Sequence, residues 1–558
     1  MSDGFPLLSL CLAWPLAGAV LLAFINHPLR ARQVALAVAL FELMLTLVVL
    51  WVFDSQYAGF QLQETSAWIP GLQIHFHLGV DGISVLFLPA TALLTSMALL
   101  AGWNTVRHLS RFYLALMLVL EGVTIGVFTA LDLTLFFLFW ELTLPPLFFL
   151  IGLWGMGAER RYAAMKYVLY MLFGGVPLLF AFLLLAINHA RLTGGVLPDD
   201  LVFSLPVLLD TPIATSDQGL ILLLLMLGFA VKAPLPPFHT WLPTVAMEGP
   251  AQISALLMGL KLGLYGILRF AIPLAPSAAL EHRWLLAICG AATLIYTGLI
   301  ALRQTNMRRM LAYASVSHVG LVLIGVASFT LQGVQGAIMQ CLNFSLIAGS
   351  LMLIAGMVQQ RLGSNELVHL GGMVKPMPRM TVLFFLFALS SIGVPLTSGF
   401  PAEFMLFVGV LESFPALAMV CLLAMVLGAA YLLGFIRQGF LGPILQKQVA
   451  SMQDLRPREL AILTIPGVMV LVLGCYPQML IDYQQTTISY WLKRMSLPVT
   501  QIAYNGIGIK VASYGDSTYS FDSIQKCRQN GFNPPLCLGE KQKGLIPSHL
   551  IMLNGPLK

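Results

Sequence analysis

Long apolar runs, separated by short polar stretches, recur from residue 5 to about residue 480. An α-helix of about 20 residues crosses a hydrocarbon core of about 30 Å, and the runs have that length. Of all residues, 58% are hydrophobic and only 10% are charged, whereas a soluble domain has about 25% charged residues. A β-barrel would require short strands of alternating polarity instead. The sequence therefore predicts an all-α polytopic membrane protein.

The runs predict about 14 transmembrane helices in a domain that covers residues 1–483. The first run, at residues 5–25, has no basic segment before it and no small-residue cleavage site, so we interpret it as a retained helix. Residues 484–558 are polar and are predicted to form a separate C-terminal tail of unknown role. The predicted helices centre near residues 15, 43, 92, 122, 145, 175, 229, 262, 292, 319, 346, 392, 427 and 470.

Two of the apolar runs, at residues 221–243 and 390–408, contain several helix-breaking residues. Proline removes an intrahelical hydrogen bond, and a broken helix inside a bilayer is typical of an internal pathway. The two breaks lie five predicted helices apart, which favours two inverted five-helix repeats. The breaking residues are Pro234, Pro236, Pro237 and Pro243 in the first run and Gly393, Pro395, Gly399 and Pro401 in the second.

Basic residues are concentrated in alternate connections between the predicted helices. By the positive-inside rule, this alternation predicts that both termini lie on the non-cytoplasmic side. The eighth connection, with Arg269 and Arg283 against Glu281, departs from the pattern. The basic connections contain Arg30, Arg32, Arg107, Arg111, Arg160, Arg161, Lys166, Arg303, Arg308, Arg309, Arg361, Lys375, Arg379, Arg437, Lys447, Arg456 and Arg458.

Among the ionisable residues inside the apolar runs, five are the leading candidates for function: Glu141, Lys232, Lys261, His318 and Glu403. A charged group at the centre of a bilayer costs about 2.5–3.5 kcal/mol on insertion scales, and such residues usually line ion paths. Removal of a lysine from water favours its neutral form, and a nearby carboxylate opposes that effect. A glutamate–lysine pair can therefore take up and release a proton. Together the five residues predict a proton path through one helix bundle.

Structural roles compete with this interpretation at each position. A buried glutamate can pair with a neighbouring helix, a lysine can extend to the interface, and a buried histidine is often a hydrogen-bonded core residue. Two more residues, Glu121 and His239, are candidates for the same network, with helix pairing and capping of freed carbonyls as their alternatives. Asp81, at a predicted membrane edge, fits the capping of the third helix better.

Motifs for other chemistries are absent from the sequence. It has no Walker or Rossmann fingerprint, no CxxC pair among its seven cysteines and no histidine pair with metal or haem spacing. A nucleic-acid-binding patch is also missing. We therefore expect no cofactor and no metal in this chain, and an energy source in partner subunits or an ion gradient. Five cysteines lie in apolar runs, whereas Cys527 and Cys537 lie in the tail.

The surroundings of these residues resemble the antiporter-like membrane subunits of proton-pumping NADH:quinone oxidoreductase (respiratory complex I), and the chain M type most of all. The resemblance covers roughly residues 5–480. Its motifs are FFLFWELTLPPLFFLIGLWG around Glu141, GFAVKAPLPPFHTWLP around Lys232, GLKLGLYGILRF around Lys261, RRMLAYASVSHVGLVLIG around His318 and GFPAEFMLF around Glu403.

The resemblance implies a fold of 14 helices with two inverted five-helix units. It also implies a Glu141–Lys232 pair, a central Lys261 and an exit carboxylate at Glu403. Where many members of the family have a histidine, this chain has Phe344 in QCLNFSL. The path from Lys261 to the exit would then depend on water, Asn343 or Ser345.

The function that the resemblance implies is proton translocation in the membrane arm of a complex whose partner subunits use quinone and NADH or another donor. The expected partners are other membrane-arm subunits, including other antiporter-like ones, and the lipid bilayer. The expected location is the bacterial inner membrane, or the thylakoid in a cyanobacterium. Two alternatives remain: a subunit of a multisubunit cation/proton antiporter, and a subunit of a hydrogenase or carbon-uptake complex.

Overall fold

A computed structural model describes residues 5–106, 108–444 and 446–496, and two short strands at 502–505 and 508–511. The chain begins with two long helices, a β-hairpin and two further helices. In the hairpin, β1 and β2 pair antiparallel. These elements are α1 (Leu7–Ala23), α2 (Pro28–Val52), β1 (Gln61–Ile69), β2 (Ile74–Val80), α3 (Phe87–Ala101) and α4 (Ser110–Thr129).

The next elements begin at a helix cap. Asp132 precedes α5, and its Oδ1 accepts hydrogen bonds from the backbone N–H groups of Thr134 and Leu135 at 2.9 and 3.1 Å. An aspartate in this position satisfies N–H groups that have no intrahelical partner. The elements that follow are α5 (Leu133–Leu142), α6 (Leu144–Trp154), α7 (Arg160–Thr193), α8 (Leu205–Asp210), α9 (Thr215–Lys232), a 3₁₀ turn (Phe238–Thr240) and α10 (Trp241–Glu248).

The remaining helices include two with π-helical segments, Ile267–Ala271 and Phe344–Ala348. Such segments often occur at functional sites. The helices are α11 (Ala251–Gly259), α12 (Leu262–Gly266), α13 (Ile272–Leu274), α14 (Pro276–Glu281), α15 (Arg283–Leu302), α16 (Met307–Ala327), α17 (Leu331–Asn343), α18 (Gly349–Leu362), α19 (Pro378–Ser391), α20 (Gly399–Ser413), α21 (Pro415–Gly439), α22 (Lys447–Ala450), α23 (Pro457–Cys475) and α24 (Gln478–Ser496).

The structure confirms an all-α membrane fold but not the count of 14 helices. Among the described residues, ten helical segments are long and apolar enough to cross a membrane, and three apolar helices are shorter. The shorter ones are α1, α3 and α19. One reason for the difference is that several helices are interrupted. The inverted relation of two five-helix units stays a prediction.

Both proline-rich runs are interrupted, as predicted. The first helix, α9, ends at Lys232, and α10 begins at Trp241. The second, α19, ends at Ser391, and α20 begins at Gly399. Gly393, in the second break, has a φ of +76°, a conformation that only glycine adopts readily. Pro243 and Pro401 lie near the starts of α10 and α20, where proline is tolerated.

A third interruption, at Leu260 and Lys261, was not predicted. It separates α11 from α12. Gly263, just after it, packs so closely on the backbone of Ala233 that a Cβ atom would collide with it. The break in this helix therefore lies directly against the break that follows Lys232.

The centre of the bundle consists of the segments Ala251–Leu274, Met307–Ala327 and Leu331–Leu362. In their most apolar parts 89%, 89% and 94% of the residues are buried, against 39% for α2 and 29% for α21. The three segments thus have protein on all sides, whereas α2 and α21 lie at the periphery. Lys261 and His318 belong to these central segments.

The position of Arg269 differs from the prediction that it lies in the eighth connection between helices. Arg269 does not lie in a connection but in a π-helical segment, and it is 6% exposed. Its guanidinium donates a hydrogen bond to Asp81 Oδ2 at 2.6 Å in a buried ion pair. The other oxygen of Asp81 accepts from the N–H groups of Ile83 and Ser84 at 3.1 Å, in the turn that precedes α3. Asp81 therefore joins the start of α3 to the broken helix.

The last helix of the main unit, α24, continues past residue 483 to Ser496. A contact-based division of the chain separates Met1–Thr211 with Thr215–Ser496 from a second unit, Pro212–Ala214 with Leu497–Lys558. In the second unit the structure describes the antiparallel strands β3 (Ile502–Asn505) and β4 (Gly508–Val511). Cys527 and Cys537 lie outside the described residues, and the role of the tail stays a prediction.

Candidate proton-translocation site

Glu141 is the second-last residue of α5, two residues before the interruption at Thr143. Both carboxylate oxygens are buried, and neither has a hydrogen-bond partner within the described part of the chain. The carboxylate projects toward α7 at Gly175, where a Cβ atom would collide with Oε1. The glycine thus provides the space that the carboxylate occupies.

Lys232, the last residue of α9, extends to the segment that contains Glu141. Its Nζ donates hydrogen bonds to the Trp140 carbonyl oxygen at 3.0 Å and to Thr143 Oγ1 at 2.9 Å. Nζ also lies 3.9 Å from the centre of the Trp140 ring, in a cation–π contact. The ammonium group therefore binds the residues on either side of Glu141, while the carboxylate is left without a hydrogen bond.

Lys261 lies at the interruption between α11 and α12 and is 3% exposed. Its Nζ donates a hydrogen bond to Ser315 Oγ on α16 at 2.7 Å. The ring of Phe344 approaches from the other side, with its centre 4.6 Å from Nζ. One hydroxyl and one aromatic face thus hold this ammonium group, and no carboxylate is among these contacts.

His318 lies one helical turn beyond Ser315 on α16. Its Nδ1 is 2.9 Å from the Ala314 carbonyl oxygen, and its Nε2 is 3.2 Å from the Ser391 carbonyl oxygen. Carbonyl oxygens only accept hydrogen bonds, so both contacts are satisfied together only when both ring nitrogens carry protons. Nε2 also lies 3.5 Å from Glu403 Oε1. The surroundings of the ring favour its protonated form.

Glu403, on α20, completes the series and is 3% exposed. Its Oε1 faces His318, and its Oε2 is buried without a hydrogen-bond partner among the described residues. Gly393 provides the space for Oε2, because a Cβ atom at that position would collide with it. Glu403 therefore depends on a glycine in the second helix break, as Glu141 depends on Gly175.

Two small cavities meet at His318. The first is about 30 Å³ in volume and has polar side chains from Ser315, Gln340 and Asn343 in its wall. The second is about 10 Å³ and extends from His318 to Glu403. A water molecule needs about 10–15 Å³ and two to four polar partners. Both cavities are thus large enough for water, and they lie between Lys261 and Glu403.

Asn343 and Ser345, the residues expected to support this part of the path, have different positions. Asn343 lines the first cavity and donates a hydrogen bond to the Ser398 carbonyl oxygen at 2.9 Å. Ser345 donates to the Gly259 carbonyl oxygen at 3.0 Å. Asn343 therefore faces the cavity, while Ser345 satisfies a carbonyl near the helix break at Lys261.

His239 and Glu121, the two additional candidates, lie in different places. His239 is buried in the first helix break, with its ring 5.6 Å from Tyr296 and 6.3 Å from Tyr313, centre to centre. Glu121 lies on α4 and is 1% exposed, and neither of its carboxylate oxygens has a hydrogen-bond partner among the described residues. The structure therefore shows no hydrogen bond that brings Glu121 into the series from Glu141 to Glu403.

Two contributors to the site, Thr143 and Ser315, were missed in the sequence, and so was Glu42, a buried glutamate outside the series. Thr143 and Ser315 each accept a hydrogen bond from a buried lysine. A hydroxyl residue in an apolar helix gives little sequence signal, although Ser315 lies one turn before His318. Glu42, in the apolar run ALAVALFELMLTLVVL, has the same signal as Glu141. It could have been found by the same argument.

Residues 130–428 match the family model described as NADH:quinone oxidoreductase/Mrp antiporter, transmembrane. The chain belongs to this family. The match includes all five residues from Glu141 to Glu403 and both helix breaks.

Named relatives cover most of the chain. NADH-quinone oxidoreductase subunit M of Rhodobacter capsulatus is 37% identical over 85% of this chain and 94% of its own length. NADH-ubiquinone oxidoreductase chain 4 of Arabidopsis thaliana is 36% identical over 85% of this chain and 94% of its own length. These relatives confirm the resemblance to chain M type subunits that the motifs predicted.

Solved structures of related complexes have the same fold as this chain. A chain of respiratory complex I from Thermus thermophilus with bound NADH superposes with a TM-score of 0.79 at 27% identity, over 88% of this chain and 100% of that chain. The Mrp complex from Dietzia sp. DQ12-45-1b gives a TM-score of 0.74 at 23% identity, over 87% of this chain and 52% of that chain. The second likeness concerns the fold alone.

Proposed function

We propose that this chain is a proton-translocating membrane-arm subunit of an NADH:quinone oxidoreductase. The observation that carries the proposal is the series Glu141, Lys232, Lys261, His318 and Glu403 inside one helix bundle, where Lys261 and Glu403 are buried and the other three are half-buried. Relatives named as subunits of that enzyme support it, because they match this chain over nearly their whole length. Ionisable side chains inside a membrane are energetically costly, and they usually mark ion or proton paths.

In the first part of the series, Glu141 and Lys232 form an adjustable pair. The ammonium group is bound to Trp140 and Thr143, close to the carboxylate but without a hydrogen bond to it. A change in rotamer would bring the two charges together, and a proton on Lys232 is held more firmly when the carboxylate is near and ionised. Separation of the pair then favours release of the proton toward Lys261.

In the second part, the proton passes from Lys261 to Glu403. Ser315 Oγ accepts from Lys261 and lines the cavity that reaches His318. A hydroxyl group can accept one proton while it donates another, so Ser315 and water can relay between the two nitrogen bases. His318 then faces Glu403 Oε1 at 3.5 Å. Release of the proton occurs at Glu403.

The electron-transfer chemistry belongs to partner subunits in this proposal. Those subunits use quinone and either NADH or a related donor. The sequence of this chain contains no recognised redox motif. The expected partners are other membrane-arm subunits, some of them antiporter-like. We further propose a location in the bacterial inner membrane, or in a thylakoid if the source is a cyanobacterium, with both termini on the non-cytoplasmic side.

The test is isolation of the intact complex from its native membrane and identification of the chains that co-purify. The proposal predicts co-purification with subunits that carry iron–sulfur and NADH sites, together with loss of proton translocation in the Lys232→Ala variant. Co-purification with small cation-antiporter subunits, and cation/proton exchange without quinone reduction, would instead indicate an antiporter. Hydrogenase subunits in the complex would also refute the proposal.

A further inference from the structure

The Glu141 carboxylate lies in a notch on the surface of α7, and the notch exists because residue 175 is glycine. A Cβ atom at Gly175 would lie 3.2 Å from the carboxyl carbon of Glu141 and would collide with its Oε1. Gly175 is buried, and both carboxylate oxygens are buried without a hydrogen-bond partner among the described residues. Space in α7, rather than a polar contact with it, thus keeps the carboxylate in this position.

The same stretch of α7 packs closely on α9, the helix that carries Lys232. A Cβ atom at Gly174 would lie 3.1 Å from the Gly228 carbonyl oxygen, and one at Gly228 would lie 2.9 Å from the Gly174 carbonyl oxygen. Gly228 precedes Lys232 by one helical turn. The contact between the two helices therefore fixes the distance between the notch and the lysine.

Helix α7 also contains a proline next to the notch. Pro177 lies inside the helix, where it removes the hydrogen bond that the Phe173 carbonyl oxygen would otherwise accept. Sharp bends in helices occur at prolines and at pairs of small residues, and Gly174 and Gly175 directly precede this proline. The point at which α7 bends most easily is therefore the point that holds the carboxylate.

We propose that Gly175 is a positioning residue that keeps the Glu141 carboxylate apart from the Lys232 ammonium group. Bending of α7 at its internal proline closes the notch and releases the carboxylate. Before that movement, the ammonium group is hydrogen-bonded to the residues on either side of the carboxylate instead. After it, the carboxylate moves to the ammonium group, because opposite charges attract strongly in a low-dielectric interior. The inference rests on the proposed function, since it names the element that switches its first pair.

Gly175 offers a simpler test than the glycine beside Glu403. Gly393 has a φ of +76°, so an alanine there would strain the backbone as well as fill space. Gly175 lies within a regular helix, where alanine is the most favourable residue. Gly175→Ala therefore adds one methyl group at the carboxylate and leaves the helix intact.

Proton translocation by the complex in closed membrane vesicles tests the proposal. Gly175→Ala should slow translocation about 10-fold or more, because a carboxylate in contact with Lys232 favours its protonated form by that factor. Aspartate is one methylene group shorter than glutamate and withdraws its carboxylate from the added methyl group. With Glu141→Asp already present, Gly175→Ala should therefore cause little further loss.

Two other glycines provide the controls. Gly434→Ala, on the peripheral helix α21, adds a Cβ atom that meets nothing within 4 Å and should leave the rate normal. Gly174→Ala crowds α9 instead of the carboxylate, so its effect should be the same with glutamate or aspartate at position 141. Coelution of each variant with the intact complex shows that the fold is kept.

The outcomes separate the inference from the proposed function. An equal loss from Gly175→Ala with glutamate and with aspartate at position 141 would overturn the inference, because the methyl group would then act through packing alone. Normal translocation in Gly175→Ala, together with its loss in Glu141→Gln, would also overturn the inference but leave the proposed function. Normal translocation in both variants would refute the proposed function.

Infrared difference spectroscopy of the purified complex examines the pair without a rate measurement. The spectrum of Gly175→Ala minus wild type should contain a carboxyl change that disappears when both proteins also carry Glu141→Gln. A difference spectrum without that change would overturn the inference, since the added methyl group would then leave the carboxylate where it is.

Pro177→Ala tests the bending of α7. The variant restores a hydrogen bond to the Phe173 carbonyl oxygen and stiffens the helix, so translocation should slow several-fold. Pro466→Ala, which removes a proline from inside the peripheral helix α23, should leave the rate normal. An unchanged rate in Pro177→Ala would refute bending at this point as the step that releases the carboxylate.

Discussion

The two parts of the buried series differ in how their groups are connected. Around Glu141 and Lys232, the carboxylate has no hydrogen bond within the part of the chain that the structure describes, and the ammonium group binds neighbouring residues instead. From Lys261 to Glu403, by contrast, Ser315, two cavities and His318 join each group to the next. A pair that is close but not bound can switch between two states, whereas a connected chain can conduct. We therefore assign coupling to the first part and proton conduction to the second.

The largest effect is expected from removal of either member of the first pair. Glu141→Ala or Lys232→Ala should reduce proton translocation in membrane vesicles at least ~100-fold, as loss of an essential proton-transfer group does. Quinone reduction should fall with it if the two processes are tightly coupled. Exposed residues provide the controls, Glu281→Gln and Lys375→Ala, which should retain normal rates. Near-normal translocation in both site variants would contradict the assignment.

A smaller effect is expected at the exit. Glu403→Gln keeps the size of the side chain but removes its ability to accept the proton from His318, and should lower the rate about 10-fold. Because uptake at Glu141 is intact, release should be slowed more than uptake in time-resolved measurements with a pH-sensitive dye. Glu412→Gln, an exposed position on the same helix, serves as the control. A normal proton-to-electron ratio and normal release kinetics in Glu403→Gln would count against the exit role.

Ser315→Ala tests the connection in the second part. The substitution removes the hydrogen bond from Lys261 and one polar wall of the cavity, at a cost of about 1 kcal/mol, or about 5-fold in rate. The comparison predicts that proton transfer slows while the Glu141–Lys232 pair is unaffected. Ser350→Ala removes a buried hydroxyl that has no hydrogen-bond partner among the described residues, and it should have no such effect. Equal rates for the two variants would show that Ser315 is not part of the path.

The smallest effect is expected at Phe344, whose ring contacts Lys261. Phe344→Leu removes a cation–π contact that stabilises the Lys261 ammonium group where it lies, but it leaves the hydrogen bond to Ser315 and an apolar side chain at position 344. We expect a change in rate of about 2–3-fold and a measurable loss of thermal stability, since the larger ring is buried. Phe384→Leu, at a buried position in α19, controls for the loss of packing. A severalfold larger loss of translocation in Phe344→Leu would place the ring in the path itself.

Much of the site could be predicted because an ionisable residue inside an apolar run is easy to recognise in the sequence. Glu141, Lys232 and Glu403 interrupt apolar runs, and prolines mark the breaks beside the last two. The same signal at Glu42 was overlooked, although its run is equally apolar. An ionisable residue in an apolar run is thus a candidate, but the sequence does not show which candidates lie together: no hydrogen bond among the described residues joins Glu121 to the series.

Other features depend on contacts that no single segment contains. The break at Lys261 is followed by Gly263, which packs against Ala233, thirty positions earlier in the chain. Arg269 looked like a loop residue, yet it forms a buried ion pair with Asp81. The number of spans also depends on how interrupted helices are packed. Tertiary contacts decide these points, so hydrophobic patterns alone do not reveal them.

Lys261 is the junction of the two parts, and the Lys261→Met variant tests the account most directly. The measurement is the number of protons moved per electron by the complex in closed vesicles, with Lys375→Met as the exposed control. If protons cross this subunit through Lys261, the variant must either lose part of that ratio or lose quinone reduction together with translocation. An unchanged ratio at an unchanged rate would mean that protons do not pass through the buried series.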